Sequence, residues 1–217
     1  MRYFKDRVEA GKLLAQDMTQ YAVQNCAVLA LSEGGIVVGA EIAKVLHTSL
    51  FLLSIEDITL PRELQPLASM SSSGTFTYNH SLSNADLEEI TSESRPVIEQ
   101  IKLETFQKLN RIISKDGPID KQLLKRHVVI VVSDGIASGL SLDVATDFLK
   151  PISTKSIIVA TPLCKAEVAD KIHVMADKVH TLDVIETDFP LSHYYEDNTL
   201  PDHDTVLDIM KNISLRW

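Results

Sequence analysis

Short, almost unbroken apolar runs that alternate with stretches of helical spacing restrict this chain to few architectures. Residues 26–31 (CAVLAL), 50–55 (LFLLSI) and 128–132 (VVIVV) are too short to be helices and carry no polar alternation. That is the pattern of strands buried on both faces. Val8, Gly11, Ala15, Met18 and Ala22 share one face of a helix over 7–23, and 36–46 has the same spacing. The second half repeats strand then helix: a helix over 141–149, a strand over 156–161, a helix over 165–176, a strand over 178–184 and a last helix over 202–213. Asp202 and Asp204 start that last helix, where its dipole favours negative charge. The alternation predicts one α/β domain over 1–217 with a mostly parallel sheet. Ligands of such sheets bind beyond the carboxyl ends of the strands, which singles out 31–35 and 132–141.

Composition narrows the function. The 217 residues carry 21 Lys and Arg against 30 Asp and Glu, a net charge of -9, with 45% hydrophobic residues. Disorder, collagen-like repeats and a disulfide scaffold are excluded. Nucleic acid is not the expected partner, because phosphate neutralisation needs a basic face and only 6% of residues are aromatic. A small anion is compatible, since a few backbone N–H groups hold one whatever the net charge. Cys26 and Cys164 lie far apart in apolar runs and read as buried reduced thiols. The first ten residues are charged, and no apolar run approaches the ~20 residues that span a bilayer, so the expectation is a cytoplasmic protein without a membrane partner.

The middle departs from the alternation. Residues 56–84 contain three prolines, the run Ser71-Ser72-Ser73-Gly74 and a brief alternation at 75–78, which predicts a mobile loop with a hairpin. From 84 to 114 the spacing turns helical. Asn84 is the candidate N-cap, and Pro96 suits the first turn of a longer helix carrying Ile98, Ile101, Leu109 and Ile112.

The segment with chemistry is 127–141, HVVIVVSDGIASGLS. A buried strand delivers Ser133 and Asp134 to its end. A loop of Gly135, Ile136, Ala137, Ser138, Gly139, Leu140 and Ser141 then runs into a helix. Small residues let an anion approach the backbone, N–H groups converge at the helix start, and the Ser138 and Ser141 hydroxyls add donors. The adjacent Asp134 suits ribose hydroxyls or a hydrated Mg2+. Turn and cap preferences alone also place Asp, Gly and Ser in such βα turns.

This stretch resembles the phosphoribosyl-pyrophosphate (PRPP) motif of the type I phosphoribosyltransferases: a hydrophobic strand, two acids, three variable residues, then Thr-Gly-x-Thr. Here it stands as Ser133-Asp134, Gly135-Ile136-Ala137, Ser138-Gly139-Leu140-Ser141. Phe4-Lys5-Asp6-Arg7 with Ala10-Gly11 and Leu14-Ala15, then Leu31-Ser32-Glu33-Gly34-Gly35, and later His193-Tyr194-Tyr195-Glu196-Asp197 are similar, in order, to landmarks of stand-alone bacterial members. Only 56–126 matches poorly. The resemblance implies a parallel sheet core with a small hood and a flexible catalytic loop, and transfer of phosphoribosyl from PRPP to a small acceptor with Mg2+. It implies that 135–141 cradles the 5'-phosphate, that Asp134 contacts ribose hydroxyls and, through water, the metal, and that Ser32, Glu33, Gly34 and Gly35 form the pyrophosphate loop. Tyr194 and Tyr195 fall near the acceptor in relatives, and packing in the core or hood explains them equally well. A homodimer is the family's habit.

Four positions depart from the family pattern. Ser133 replaces the first acid, Glu33 stands where Arg or Lys commonly precedes the glycines, and Glu56 and Asp57 stand where relatives tend to carry cations. A unit charge about 5 Å from a pyrophosphate charge is worth roughly 3 kcal/mol at an effective dielectric near 20. Between 56 and 84 the candidate cations are Arg62 and His80, and position 137 is Ala, where purine-salvage members carry an aspartate. The alternative reading is therefore a catalytically degenerate module that senses a phosphorylated ligand, PRPP or a nucleoside monophosphate. There is no HExxH, GxSxG or Walker A sequence, and Gly34-Gly35 then Gly39 does not fit the dinucleotide GxGxxG.

Overall fold

The structure is a computed structural model that describes residues 2–61, 63, 65–116, 119–187 and 189–214, with the side chains of 111–116 and 214 outside the description. Its main sheet has five strands: β1 (Cys26–Ala30), β2 (Ser49–Leu52), β6 (Val128–Val132), β7 (Ser156–Lys165) and β8 (Lys178–Ile185), in the order β2-β1-β6-β7-β8 with every pairing parallel. Both faces are covered, so successive residues of one strand enter opposite cores. Val128, Ile130 and Val132 face α1 (Arg7–Gln16), α2 (Glu33–Leu46) and α7 (His203–Ser214), whereas Val129 and Val131 face α5 (Leu140–Leu149) and α6 (Ala166–Met175). This double burial is the physical reason for the unbroken apolar runs.

The boundaries hold closely for β1, β6, α5, α6, β8 and α7, and differ elsewhere. α1 ends at Gln16, and a 3₁₀ turn at Thr19–Tyr21 follows, which buries Met18 and Tyr21 without continuing the α-helix. The turn read at 32–35 is the start of α2: Ser32 is its N-cap, accepting from the Gly35 N–H, and Glu33, Gly34 and Gly35 form the first helical turn. The run at 50–55 is cut after Leu52. Leu53 still donates to Ala30 O, but the chain then leaves the main sheet.

Within the expected loop at 56–84 the hairpin is present as β4 (Ala68–Ser71) and β5 (Phe76–Tyr78), and β3 (Ile55–Ile58) adds a third antiparallel strand that the sequence reading did not foresee. The polar Ser69, Ser71 and Thr77 of this sheet are buried, which hid most of it from a hydrophobicity pattern. Arg62 lies outside the described residues. The helical stretch divides into α3 (Asn84–Glu93), capped by Ser83 rather than Asn84, and α4 (Arg95–Asp116), with Pro96 in its first turn. Ile98 and Leu109 of α4 cover the small sheet and the loop beside it; the Ile112 side chain is outside the description. The other edge of that sheet leans on α5, where the Thr77 hydroxyl donates to Asp147 at 2.7 Å. The small sheet is thus fastened to the helix that opens at the predicted anion loop.

Candidate functional site

Strand order reverses between β1 and β6. From β1 the chain passes outward through α2 to β2, and it later returns to β6 on the other side. Such a switch point opens a crevice at the carboxyl ends of the two strands. A cavity of about 460 Å3 lies there. Ser133, Asp134, Gly135, Ala137, Ser138 and Ser141 form one wall, and Leu31 and Ser32 come from the end of β1. Ile55, Glu56 and Asp57 of β3 complete the lining.

The remaining predicted residues are not on the cavity lining. Ile136 and Leu140 are buried, and Ile136 bridges to Cys164, so they anchor the loop from below. Gly139 is the N-cap of α5 and supplies no side-chain cap, leaving first-turn N–H groups for another acceptor. A Cβ there would lie 2.4 Å from Lys171 Cδ, so Gly139 makes room for a lysine on α6 whose Nζ is 2.6 Å from Asp143. Glu33, Gly34 and Gly35 sit beneath the cavity in α2. Tyr194 is fully buried among Phe4, Leu163 and Ile185, and its hydroxyl meets Thr187 at 2.5 Å. Of the two readings of Tyr194, core packing is the one its surroundings match.

Ser133 takes the place of an acid by building the turn: its hydroxyl donates to Gly135 O at 2.9 Å and accepts from Gly135 N at 3.3 Å. Asp134 is heavily engaged. Arg7 Nε donates to Oδ2 at 2.7 Å, and the Ser32 hydroxyl donates to Oδ1 at 3.0 Å. The Arg7 side chain is 6% exposed and that of Asp134 20%. The Tyr195 hydroxyl donates to the Asp134 backbone carbonyl at 2.5 Å. Burial, and then the nearby Asp134 carboxylate, push that phenol well above its usual range, against the opposing pull of Arg7, so it stays a donor. Elsewhere on the lining, Glu56 pairs with Lys108 at 2.8 Å and Asp57 accepts from the Ser69 hydroxyl. Among the described residues the lining holds three carboxylates and no cation.

That donor set bears on Mg2+. Among the described residues no three His, Cys, Asp or Glu side chains come together as a metal cage, and both Asp134 oxygens already have protein partners. If a cation were carried in on a ligand's phosphates, Glu56 and Asp57 are the other lining carboxylates that could accept hydrogen bonds from its waters.

Sequence reading missed the partner of Asp134. The signal was present as Arg7 in the first landmark, but nothing in the spacing says that residue 7 meets residue 134. Lys171 was likewise an ordinary helical lysine in the sequence.

No family model matches the chain. It is 24% identical over 208 residues to a Mycobacterium tuberculosis protein named "Putative phosphoribosyl transferase", a match that takes in 95% of this chain but 46% of that protein. The chain thus spans about half the length of the curated relatives it matches. Among solved structures, TT1426 of Thermus thermophilus superposes with a TM-score of 0.73 at 22% identity, covering 98% of this chain and 99% of that one. A Neisseria gonorrhoeae protein crystallised with bound ppGpp gives 0.51 at 13% identity, covering 97% and 96%. The parallel sheet with its switch-point loop is thus a fold shared with TT1426, and in sequence the chain is similar to the mycobacterial protein named "Putative phosphoribosyl transferase".

Proposed function

We propose that the cavity binds the ribose 5-phosphate part of a phosphorylated ligand, PRPP in the first instance, and that the chain transfers phosphoribosyl to a small acceptor. One observation carries the reading: an uncapped α5 N-terminus, flanked by Ser138 and Ser141, opens into the same cavity as Asp134. The 5'-phosphate would accept from the first-turn N–H groups of α5 and from the two serines. Asp134 would accept from ribose hydroxyls with the lone pairs that Arg7 and Ser32 leave. Ser32, at the end of β1, is the pyrophosphate-side residue that reaches the cavity.

In the reaction this implies, the acceptor displaces pyrophosphate at C1' through an oxocarbenium-like state. The chain's contribution is positioning: phosphate and ribose are fixed at two points, and C1' is directed towards the Glu56 and Asp57 side. Mg2+ carried by the pyrophosphate would supply the charge neutralisation that this lining lacks.

A second reading has its own support. With Ser133 in place of an acid and Glu56 and Asp57 on the lining, the cavity suits a ligand whose only anion is a monophosphate, held for sensing rather than transfer. Calorimetric titration with PRPP, ribose 5-phosphate and AMP, each with Mg2+ and with chelator, separates the two. Tight binding of PRPP only with Mg2+ supports the transferase. Preference for the monophosphates supports the sensor, and no binding of any of the three refutes both.

A further inference from the structure

Two sequence landmarks are not used by the phosphate loop, and the structure brings both to Asp134, one to its carboxylate and one to its backbone carbonyl. Phe4 and Tyr195 form a parallel bridge, Phe4 N donates to Tyr194 O, and Glu196 N and Asp197 N donate to Phe4 O and Lys5 O. Asp6 then caps α1 by accepting from the Glu9 N–H, which makes Arg7 the first helical residue. From there the guanidinium reaches Asp134 Oδ2 with Nε and Asn198 Oδ1 with Nη2, at 2.7 and 2.8 Å. It lies 4.7 Å from the centroid of the Tyr195 ring.

We propose that Arg7 is a positioning residue for ligand binding: buried behind the cavity, it fixes the Asp134 carboxylate in the orientation that accepts ribose hydroxyls. This rests on the phosphoribosyl reading above and extends it to a residue outside the loop. Three observations support it. Arg7 is not on the cavity lining, so it acts through Asp134 rather than on the ligand. Gly34 is shaped to the pair, because a Cβ there would stand 2.2 Å from Asp134 Oδ2 and 2.8 Å from Arg7 Nε. Arg7 Nη1 is buried with no hydrogen-bond partner among the described residues, and Arg7 Nε is aligned with the acid at the strand end. Tyr195, by holding the Asp134 carbonyl, fixes the backbone of the same residue.

Calorimetry tests the proposal with three probes, ribose 5-phosphate, 2-deoxyribose 5-phosphate and inorganic phosphate, on the full chain and on Arg7→Lys, Arg7→Met, Asp134→Asn and Arg7→Lys/Asp134→Asn. The parent should prefer ribose 5-phosphate to its 2-deoxy analogue about tenfold. Both Arg7 variants should bring that ratio towards one and leave inorganic phosphate affinity within twofold. Arg7→Lys should cost less than a further twofold once Asp134 is Asn, because residues acting through one contact are not additive. Arg7→Lys keeps the buried charge paired, so it remains informative if Arg7→Met does not fold. A preserved ratio in Arg7→Lys, equal loss for inorganic phosphate, or losses that multiply in the double variant would overturn the positioning role while leaving the phosphate site standing. A parent that binds none of the three probes would instead refute the underlying phosphoribosyl reading.

Discussion

Gly34→Ala is the substitution for which helix propensity and the site geometry predict opposite signs. Gly34 lies in the first turn of α2, and replacing a helical glycine by alanine ordinarily gains up to about 1 kcal/mol. Here the new methyl would stand 2.2 Å from Asp134 Oδ2 and 2.5 Å from its Cγ, more than roughly 1 Å inside ordinary contact. It would also press on Arg7 Nε at 2.8 Å. Ser32 and Arg7 hold the carboxylate from two directions, so it can yield only by leaving one of them. Separating a buried ion pair costs about 3–5 kcal/mol. Asp134 is 20% exposed and recovers some solvation, which places the expected loss near the low end, about 3 kcal/mol. For a chain of this size that is a fall in Tm of roughly 6–12 °C. Differential scanning calorimetry is the assay, with Gly39→Ala as the control. A Cβ at Gly39 meets Leu50 Cδ1 and Val28 Cγ1 at 3.1 Å, methyl groups that can give way, and its loss should be clearly smaller. A Gly34→Ala chain as stable as its parent, or more stable, would refute the view that Gly34 exists to seat the pair.

The other predictions are independent of one another. Burial holds the His180 imidazole, whose Nε2 is 3.0 Å from the Tyr21 hydroxyl, below its ordinary pKa; the unfolded chain therefore takes up its proton first, and stability should fall as pH drops from about 6.5 through the lower folded value. His180→Gln should flatten that decline in urea midpoints, and an unchanged slope would contradict the assignment. Burial pushes the Cys164 thiol up to about 11 and raises Cys26 as well, so at pH 8 a thiol reagent should modify neither in the folded chain and both in urea; rapid native labelling would show the buried placement to be wrong. Glu56→Gln with Asp57→Asn should raise PRPP affinity in chelator about tenfold. The full roughly 3 kcal/mol per charge is reduced because Glu56 is 35% exposed and already paired with Lys108. No gain would mean that the diphosphate does not approach this wall.

What the sequence disclosed followed from burial and periodicity. The apolar runs of β1 and β6 give away the doubly covered sheet, and the small residues of 135–141 give away the loop. Most of the small sheet stayed hidden because Ser69, Ser71 and Thr77 are buried by hydrogen bonding and packing, with Thr77 on Asp147 and Ser69 on Asp57; a hydroxyl buried in a strand looks the same in sequence as one in a loop. The start of α2 was misplaced for a related reason. Two glycines suggest a turn, whereas Ser32 caps a helix whose first turn needs them for clearance from Asp134 and Val132. The link from Arg7 to Asp134 spans 127 residues and has no local signature at all.

The placement of charge separates two sequence concerns that looked alike. Glu33 and Glu56 both stand where a cation was expected, yet their sites differ physically. Glu33 lies in the first turn of α2 off the cavity lining, where the helix dipole stabilises a carboxylate; it repels a diphosphate only from outside. Glu56 and Asp57 line the cavity, and their partners, Lys108 and Ser69, come from α4 and β4. Lys108 is 63% exposed and Glu56 35%, so the pair is weak and open to exchange. An incoming cation could replace Lys108 on Glu56, whereas nothing comparable can displace buried Arg7 from Asp134. On the proposed reading, ligand charge beside Glu56 and Asp57 would require a counterion, and ligand charge at the α5 N-terminus would not. This asymmetry is why the Mg2+ dependence of PRPP binding, rather than phosphate binding itself, decides between transfer and sensing.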